Sequence, residues 1–272
     1  MSCQLMRNGV MLMKLILSRK GMDSTAGGMA NPILPDGTLL SLPIPDNDSG
    51  LKYSNVVYDG KSYAEIIQEL KPNFDFKTNN CCHLDPDIRD DITHPKNWKP
   101  AFGQRSSSAV FLDNQGVDVG DVFLFFGWFK QTEYDNSGKL RYVRGAKDLH
   151  IIYGYMQIGS IVSSDDVKSY DWHPHSKWSD KTNRLYIPNK ELSFANGIKG
   201  YGILKYNRQN TLTKDGYSRS RWDMPECFNS SVKIAGCGDC FKDGYFQSPG
   251  RGQEIVFDVT DGIMEWIKTI VL

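Results

Sequence analysis

The sequence lacks any apolar run approaching the roughly 20 residues that a membrane-spanning helix needs. The most apolar stretch near the start, residues 10–17, is interrupted by Lys14 and is not followed by the small residues of a signal-cleavage site. We therefore expect a cytoplasmic protein without membrane contact. We also expect residues 1–12 to be an extension outside the core, followed by one domain over residues 13–272.

The sequence also has no excess of charge of either sign, and it has few cysteines. The 32 Lys and Arg residues balance the 32 Asp and Glu residues, so the formal net charge is zero. A protein that coats duplex DNA without sequence preference is normally basic, so a nucleic-acid partner would need a local groove, or the partner is a nucleotide. The six cysteines are too few for a disulfide framework in a chain of this length.

The apolar residues that are present indicate a strand-rich α+β fold with few helices. Residues 14–18 predict a short buried strand. Residues 62–70 predict a helix, because Ser62 and Glu65 form a capping-box pattern before an apolar face. Residues 261–272 predict a closing helix.

The middle of the chain, residues 108–163, consists of β-rich segments separated by turn signals, beginning with a predicted strand at residues 108–112. This pattern predicts a strongly bent antiparallel sheet or a small closed barrel. Gly154 and Gly159 lie inside a predicted strand, where glycine usually marks a bulge or a tight bend.

A loop rich in glycine, hydroxyl and charged side chains follows the first predicted strand. Backbone amides beside glycine, together with cationic and hydroxyl side chains, are suited to holding a phosphate. A solvated turn explains the same composition. The candidate phosphate- or nucleotide-binding residues of this loop are Ser18, Arg19, Lys20, Asp23 and Ser24.

His83, Asp85 and Asp87 alternate along one segment, so an extended backbone would place the three side chains on one side. We predict that they form an acid–base group, and that Asp85 and Asp87 bind a divalent metal. An Asx-turn cluster in a loop is the alternative. The proline between His173 and His175 makes these two histidines a poor metal pair unless outside ligands join them.

Five further polar or aromatic residues are candidates for the functional site, and they are more informative together than singly. His150 and Glu254 are candidate catalytic groups, and Arg221, Trp222 and Gln253 are candidate nucleotide-binding residues. Each alone is better explained as a core or surface residue, because single histidines and aromatic residues most often pack in the interior.

The cysteines allow a zinc site as another alternative. Cys237 and Cys240 form a C-x-x-C unit in a glycine turn, and Cys81, Cys82 and His83 would supply the other ligands. The second half has no matching pair, so ordinary reduced thiols explain these residues as well.

Several blocks together resemble one family. They are LSRKGMDSTAGG, HLDPD, FGQ, GVDVGDVFLFFGWF, DLHIIYGYMQIG, HPH and RGQEIVFD. These blocks are similar to the third nucleotide-modification-associated domain family, found in bacterial and phage systems that modify DNA bases. Met22 stands where the family pattern has Phe, and the cysteines named above lie outside that pattern. The middle block also resembles the PUA-like barrels, which bind modified bases in an aromatic pocket.

The resemblance implies a nucleotide or nucleic acid, including modified DNA, as the partner. The first hypothesis is an enzyme that acts on a nucleotide or a DNA base, with Asp85 and Asp87 at its centre. The second is a non-catalytic reader that stacks a modified base on Trp98 or Trp222. In a third interpretation, the polar loops only hold the fold together.

Overall fold

The structure is a computed structural model that describes residues 6–7, 10–11, 13–250, 252 and 254–272. Within these residues, the largest element is a mixed sheet of ten strands. Its two long strands, Val122–Tyr134 and Leu149–Ser163, form an antiparallel pair. Both are rich in β-branched and aromatic side chains, which pack well on a pleated surface.

The other strands are shorter. The rest of the large sheet comprises Lys14–Arg19, Asn31–Ile33, Phe102–Gln104, Leu140–Tyr142, Arg184–Pro188, Tyr201–Ile203, Ile234–Ala235 and Glu254–Asp258. Small separate sheets contain Met6–Arg7, Val10–Met11, Ile44–Pro45, Val57–Tyr58, Lys61–Ser62, Cys82–His83, Glu191–Leu192, Ala195–Lys199, Arg221–Trp222, Phe241–Lys242 and Tyr245–Gln247.

The strand Lys14–Arg19 lies between two partners that are distant in sequence. It pairs in parallel with Val122–Tyr134 and antiparallel with Glu254–Asp258. Ser18 is aligned with Glu254 in this register. The end of the strand therefore places the start of the following loop beside a buried carboxylate.

Side chains of the central strands alternate between two hydrophobic clusters, one on each face of the sheet. Leu15 and Leu17 belong to the cluster that also contains the C-terminal helix, whereas Ile16 belongs to the other. Phe123 and Phe125 join Ile16 on that second face. A period of two is what a strand buried on both faces requires.

Two predicted helices are confirmed. Tyr63–Leu70 begins at Ser62 with the expected capping box, and Asp261–Val271 closes the chain. Ile66 and Ile67 of the first helix are buried in a third hydrophobic cluster. No helix in the described part of the chain is long and apolar enough to cross a membrane.

The closed barrel is wrong, whereas the bent antiparallel sheet of the middle block is confirmed, because Val122–Tyr134 pairs antiparallel with Leu140–Tyr142 and with Leu149–Ser163. The described strands form open sheets, and the largest contains parallel pairs at Lys14–Arg19 and Asn31–Ile33. Turn motifs in the sequence predict only hairpins between neighbouring strands. These parallel pairings join segments about a hundred residues apart, so no turn motif predicts them. The fold class itself, strand-rich α+β with few helices, is confirmed.

The first segment of the middle block is also not a strand. Residues 108–112 lie within the helix Ser106–Asn114. Its buried residues, Ala109 and Leu112, are three positions apart, and Val110 is 42% exposed. That is one face of a helix, because an alternating strand would bury Val110 and Leu112 on the same side.

Both glycines expected at bulges lie where the ladder is irregular. The register of Leu149–Ser163 shifts next to Gly154 and across Gly159. A Cβ atom on Gly159 would lie 2.7 Å from the backbone nitrogen of Asn189. Only glycine fits this close approach without movement of the neighbouring backbone.

We expect Phe123→Ala to lower the free energy of unfolding by about 3–5 kcal/mol, because Phe123 is fully buried and truncation leaves a cavity. Urea denaturation followed by circular dichroism measures the change. Val119→Ala is the control, since Val119 is 48% exposed and its loss should change stability by less than about 0.5 kcal/mol. Equal effects in both variants would contradict the core assignment.

Candidate metal centre and the cavities around it

Residues at and after the end of strand Lys14–Arg19 line a cavity of about 340 Å³, which we call the histidine cavity. Four other segments complete its walls, around Asp46, around His83 and Asp85, along residues 103–105, and around residues 175–178. The full lining is Arg19, Lys20, Gly21, Asp23, Thr25, Ala26, Ile44, Pro45, Asp46, His83, Asp85, Gly103, Gln104, Arg105, His175 and Trp178.

His83, Asp85 and His175 converge in this cavity. The Nε2 atoms of His83 and His175 lie 3.6 and 3.7 Å from Oδ2 of Asp85. One ligand atom from each of the three residues lies within 4.8 Å of the others. Two imidazoles and a carboxylate at this spacing form a group that could hold a metal ion.

The outer nitrogen of each imidazole has its own partner. His83 Nδ1 lies 2.9 Å from Oδ2 of Asp46, and His175 Nδ1 lies 2.6 Å from Oδ1 of Asn183. The amide group of Asn183 donates to the carbonyls of His175 and Trp178, which fixes its oxygen towards the imidazole. His175 Nδ1 is therefore the donor, and its Nε2 presents a lone pair to Asp85.

The two oxygens of Asp85 have different surroundings. Oδ1 accepts a hydrogen bond of 2.7 Å from the backbone N–H of Gly103, and His173 Nε2 lies 3.4 Å from it. His173 Nδ1 accepts from the backbone of His175, so its proton is on Nε2 and points to Asp85. Oδ1 is thus held in place, while Oδ2 faces His83 and His175.

The electrostatics of the group favour an ionised carboxylate beside a neutral imidazole. Burial opposes ionisation of Asp85, but the imidazoles of His173 and His83 outweigh it and hold the pKa well below its usual range. Burial lowers the pKa of His175 to about 3, so this ring is neutral. For His83, burial acts to lower the pKa, but the carboxylates of Asp46 and Asp85 outweigh it and raise the pKa.

Glu254 supports the opposite wall of the cavity. Its Oε1 atom accepts hydrogen bonds from Ser18 Oγ at 3.2 Å, Lys20 Nζ at 3.2 Å and Gln104 Nε2. The side chains of Lys20 and Glu254 are only 9% and 3% exposed. Because Lys20 and Gln104 line the cavity, the buried carboxylate positions both of them.

The comparison with known families bears on this site. A family model described as nucleotide modification associated domain 3 matches residues 14–258. The chain belongs to this family. No curated protein and no solved structure matches it, so the likeness to PUA-like barrels is not confirmed. Membership in the family supports a role related to nucleotide modification.

The structure brings the two main motifs of this family member together. Arg19, Lys20 and Asp23 of the candidate phosphate loop line the same cavity as His83 and Asp85. They are sixty or more positions apart in the chain, and the loop reaches the cavity because its strand is central in the sheet.

Asp87 lies outside the metal group. The extended stretch ends at His83, and Asp87 instead pairs with Ala101, so the expected alternation does not continue. Its Oδ1 atom has no hydrogen-bond partner among the described residues and lies 3.7 Å from His94 Nδ1. Burial raises the pKa of Asp87 well above its usual value, which favours the neutral acid.

Two of the remaining predicted residues, Ser24 and His150, line a second cavity. His150 is buried, and its Nδ1 accepts a 3.0 Å hydrogen bond from Nε1 of Trp222, which is fully buried itself. Ser24 lines this cavity, whereas Arg221 is exposed on the strand Arg221–Trp222. Gln253 lies outside the described residues.

Sequence reasoning missed several residues of the histidine cavity. Gln104, Arg105 and Trp178 line it, and the Arg105 guanidinium lies 3.6 Å from the ring centre of Trp178. The family-like blocks FGQ and HPH were the available signals for Gln104 and His175. The outside ligands that the histidine pair needs are His83 and Asp85.

The zinc alternative is wrong. Cys237 and Cys240 form a disulfide with each other, and Cys240 packs in the cluster around the C-terminal helix. Cys82 is buried in a different cluster, around the helix Tyr63–Leu70. The metal-type group found among the described residues contains no cysteine.

We expect Glu254→Gln to lower the free energy of unfolding by about 3–5 kcal/mol, because it removes the charge that Lys20 faces in a buried site. Chemical denaturation measures the loss. Glu265→Gln is the matched control, since Glu265 is 71% exposed in its ion pair with Lys268 and should contribute at most about 1 kcal/mol. A loss no greater than that of the control would show that the buried pair is not formed.

Proposed function

We propose that this chain is a divalent-metal-dependent enzyme that acts on a nucleotide or a nucleic-acid base. The metal ligands are His83 Nε2, His175 Nε2 and Asp85 Oδ2. The main support for the proposal is that these three atoms converge in the histidine cavity. In addition, the Nδ1 atom of each imidazole has its own partner, Asp46 for His83 and Asn183 for His175. Partners of this kind fix the tautomer of metal-binding histidines in many proteins.

The charge arrangement supports a cation at this point. A neutral imidazole directs its lone pair at an ionised carboxylate oxygen 3.7 Å away, which is repulsive when nothing lies between them. A divalent ion bound by both atoms converts this repulsion into attraction. Asp85 is buried and its Oδ2 atom accepts no backbone hydrogen bond, so a cation bound there adds to the histidine contacts that offset its desolvation.

The ligand set leaves coordination positions for water or substrate. Three protein ligands of the His/His/carboxylate type are typical of catalytic zinc and of non-haem iron. Such an ion supplies Lewis-acid activation of a bound water or of a substrate oxygen. A purely structural zinc site would have four protein ligands.

The cationic residues of the histidine cavity suit a phosphorylated substrate. Arg19, Lys20 and Arg105 all line it, and guanidinium groups match the geometry of phosphate oxygens. Together with membership in a nucleotide-modification family, this favours a nucleotide or a nucleic-acid strand over an uncharged metabolite.

The reader hypothesis has less support. It assigned base stacking to Trp98 and Trp222, but Trp222 is 0% exposed and packs against Phe126 and Phe246. One face of Trp98 is covered by the ring of His94, with the ring centres 3.9 Å apart. Trp222 therefore offers no face to a base, and His94 already occupies one face of Trp98.

We expect the chelator-treated protein to bind one divalent ion per chain, and Asp85→Asn to weaken this binding at least about 100-fold. Isothermal titration calorimetry with Zn²⁺, Mn²⁺ and Fe²⁺ (anaerobic) measures both. The matched control is Asp87→Asn, which replaces a neutral buried acid two residues away and should bind metal as the wild type does. Failure of the wild type to bind, or equal losses in the two variants, would exclude this metal site.

We expect cells that express the wild type or Asp87→Asn to contain a new, altered or missing nucleoside, and cells with Asp85→Asn to match an empty-vector control. Mass spectrometry of nucleosides from DNA, RNA and the free nucleotide pool detects the change. The reason is that Asp85, unlike Asp87, supplies a metal ligand. Identical profiles in all four strains would refute a modifying activity on the nucleic acids and nucleotides of that host.

A further inference from the structure

A second cavity of about 560 Å³ adjoins the histidine cavity, and we call it the arginine cavity. Arg19, Asp23 and Thr25 line both cavities, so the two spaces share one wall. Its full lining is Arg19, Asp23, Ser24, Thr25, Lys147, Asp148, His150, Tyr217, Ser218, Arg219, Ser220, Ser248, Pro249 and Gly250. This volume lies in the range of about 300–1,000 Å³ that small-molecule sites occupy.

His150 offers a hydrogen-bond donor to an occupant. Its Nδ1 accepts from the indole of Trp222, so the proton of the neutral ring is on Nε2. Nε2 has no hydrogen-bond partner among the described residues, although His150 is only 2% exposed. An unsatisfied buried donor is uncommon, and in a cavity wall it indicates a ligand with an acceptor atom.

Two flat side chains also line the space. Tyr217 is 43% exposed, so part of its ring is left open to an occupant. The neighbours of this ring, at 5.5, 5.7 and 5.9 Å, are Lys214, Arg221 and Tyr245. The guanidinium of Arg219 lies 4.1 Å from the ring centre of Trp128, which fixes its plane. Aromatic rings and guanidinium planes are the surfaces on which proteins stack single bases.

The charges of the cavity are partly compensated, since Arg19, Lys147 and Arg219 face two acids in the lining. Asp23 lies 3.6 Å from Arg19 and 3.5 Å from Arg219, so one carboxylate serves both guanidinium groups. Asp148 is a second acid in the lining. One carboxylate balances only one of the two guanidinium charges, so Arg19, which also lines the histidine cavity, keeps charge for a phosphate there. The guanidinium plane of Arg219, held between Asp23 and Trp128, suits a neutral flat heterocycle.

We propose that the arginine cavity is a nucleobase-binding subsite, in which the base stacks on Tyr217 and accepts a hydrogen bond from His150 Nε2. The shared wall then places the phosphate of the same nucleotide next to Arg19, towards the metal centre. This inference rests on the proposed function, because the base bound in the arginine cavity would belong to the nucleotide on which the metal centre acts.

The test measures binding of adenosine, guanosine, cytidine and uridine by calorimetry, with inorganic phosphate as a competitor. We expect at least one nucleoside to bind, Tyr217→Leu to weaken that binding about ten-fold, and Tyr217→Phe to leave it unchanged because the ring remains. His150→Phe should also weaken it about ten-fold, since the donor is lost. Tyr217 is on the surface, so its two variants decide the matter if His150→Phe fails to fold.

Metal titration of the same variants separates the two proposals. Tyr217→Leu should bind the divalent ion as the wild type does, and Asp85→Asn should still bind the nucleoside. The subsite is refuted if no nucleoside binds to the wild type, if Tyr217→Leu binds as tightly as Tyr217→Phe, or if inorganic phosphate displaces the nucleoside. If the wild type binds a nucleoside but no divalent ion, the metal centre is refuted and the subsite stands.

Discussion

The pairing of Lys14–Arg19 with two strands that are distant in sequence determines where both cavities lie. Because the strand is central, its last residues emerge inside the molecule, where Glu254 accepts hydrogen bonds from Ser18 and Lys20. The loop that follows contributes Arg19 and Asp23 to the wall between the cavities. A surface strand in the same position would have sent these charged side chains into solvent.

Asp85 has the corresponding role on the opposite wall. One of its oxygens is fixed by the N–H of Gly103 and lies close to His173, and the other faces two imidazoles. Buried charges are tolerated when hydrogen bonds and counter-charges surround them. The backbone N–H of Gly103 binds Oδ1 and leaves Oδ2 without a backbone donor. Oδ2 is therefore the oxygen that could bind a metal ion.

Local signals in the sequence predicted local structure well. The capping box at Ser62 and the apolar face of residues 261–271 specify their helices through contacts within a few residues. The barrel and the strand at residues 108–112 were wrong because their evidence was β-propensity, which tertiary packing overrides. No local pattern reports that Lys14–Arg19 pairs in parallel with a strand a hundred residues later.

The same distinction holds for the site. Arg19, His83 and Asp85 belong to motifs that are visible in the sequence, and the structure brings them to one cavity. Asn183 and His175 join them only through tertiary contacts, so their spacing in the sequence carries no sign of a shared site. Asp87 was misleading because alternation predicts a common side only while the backbone stays extended.

Asp23 gives the two cavities a means of communication. Its Oδ2 atom lies near Arg19 and its Oδ1 atom near Arg219, so a ligand that draws one guanidinium away leaves the carboxylate to the other. Any difference in affinity that this produces must be reciprocal, because thermodynamic linkage acts equally in both directions. A shared counter-ion of this kind would couple occupancy of one cavity to affinity in the other without a moving domain or a second subunit.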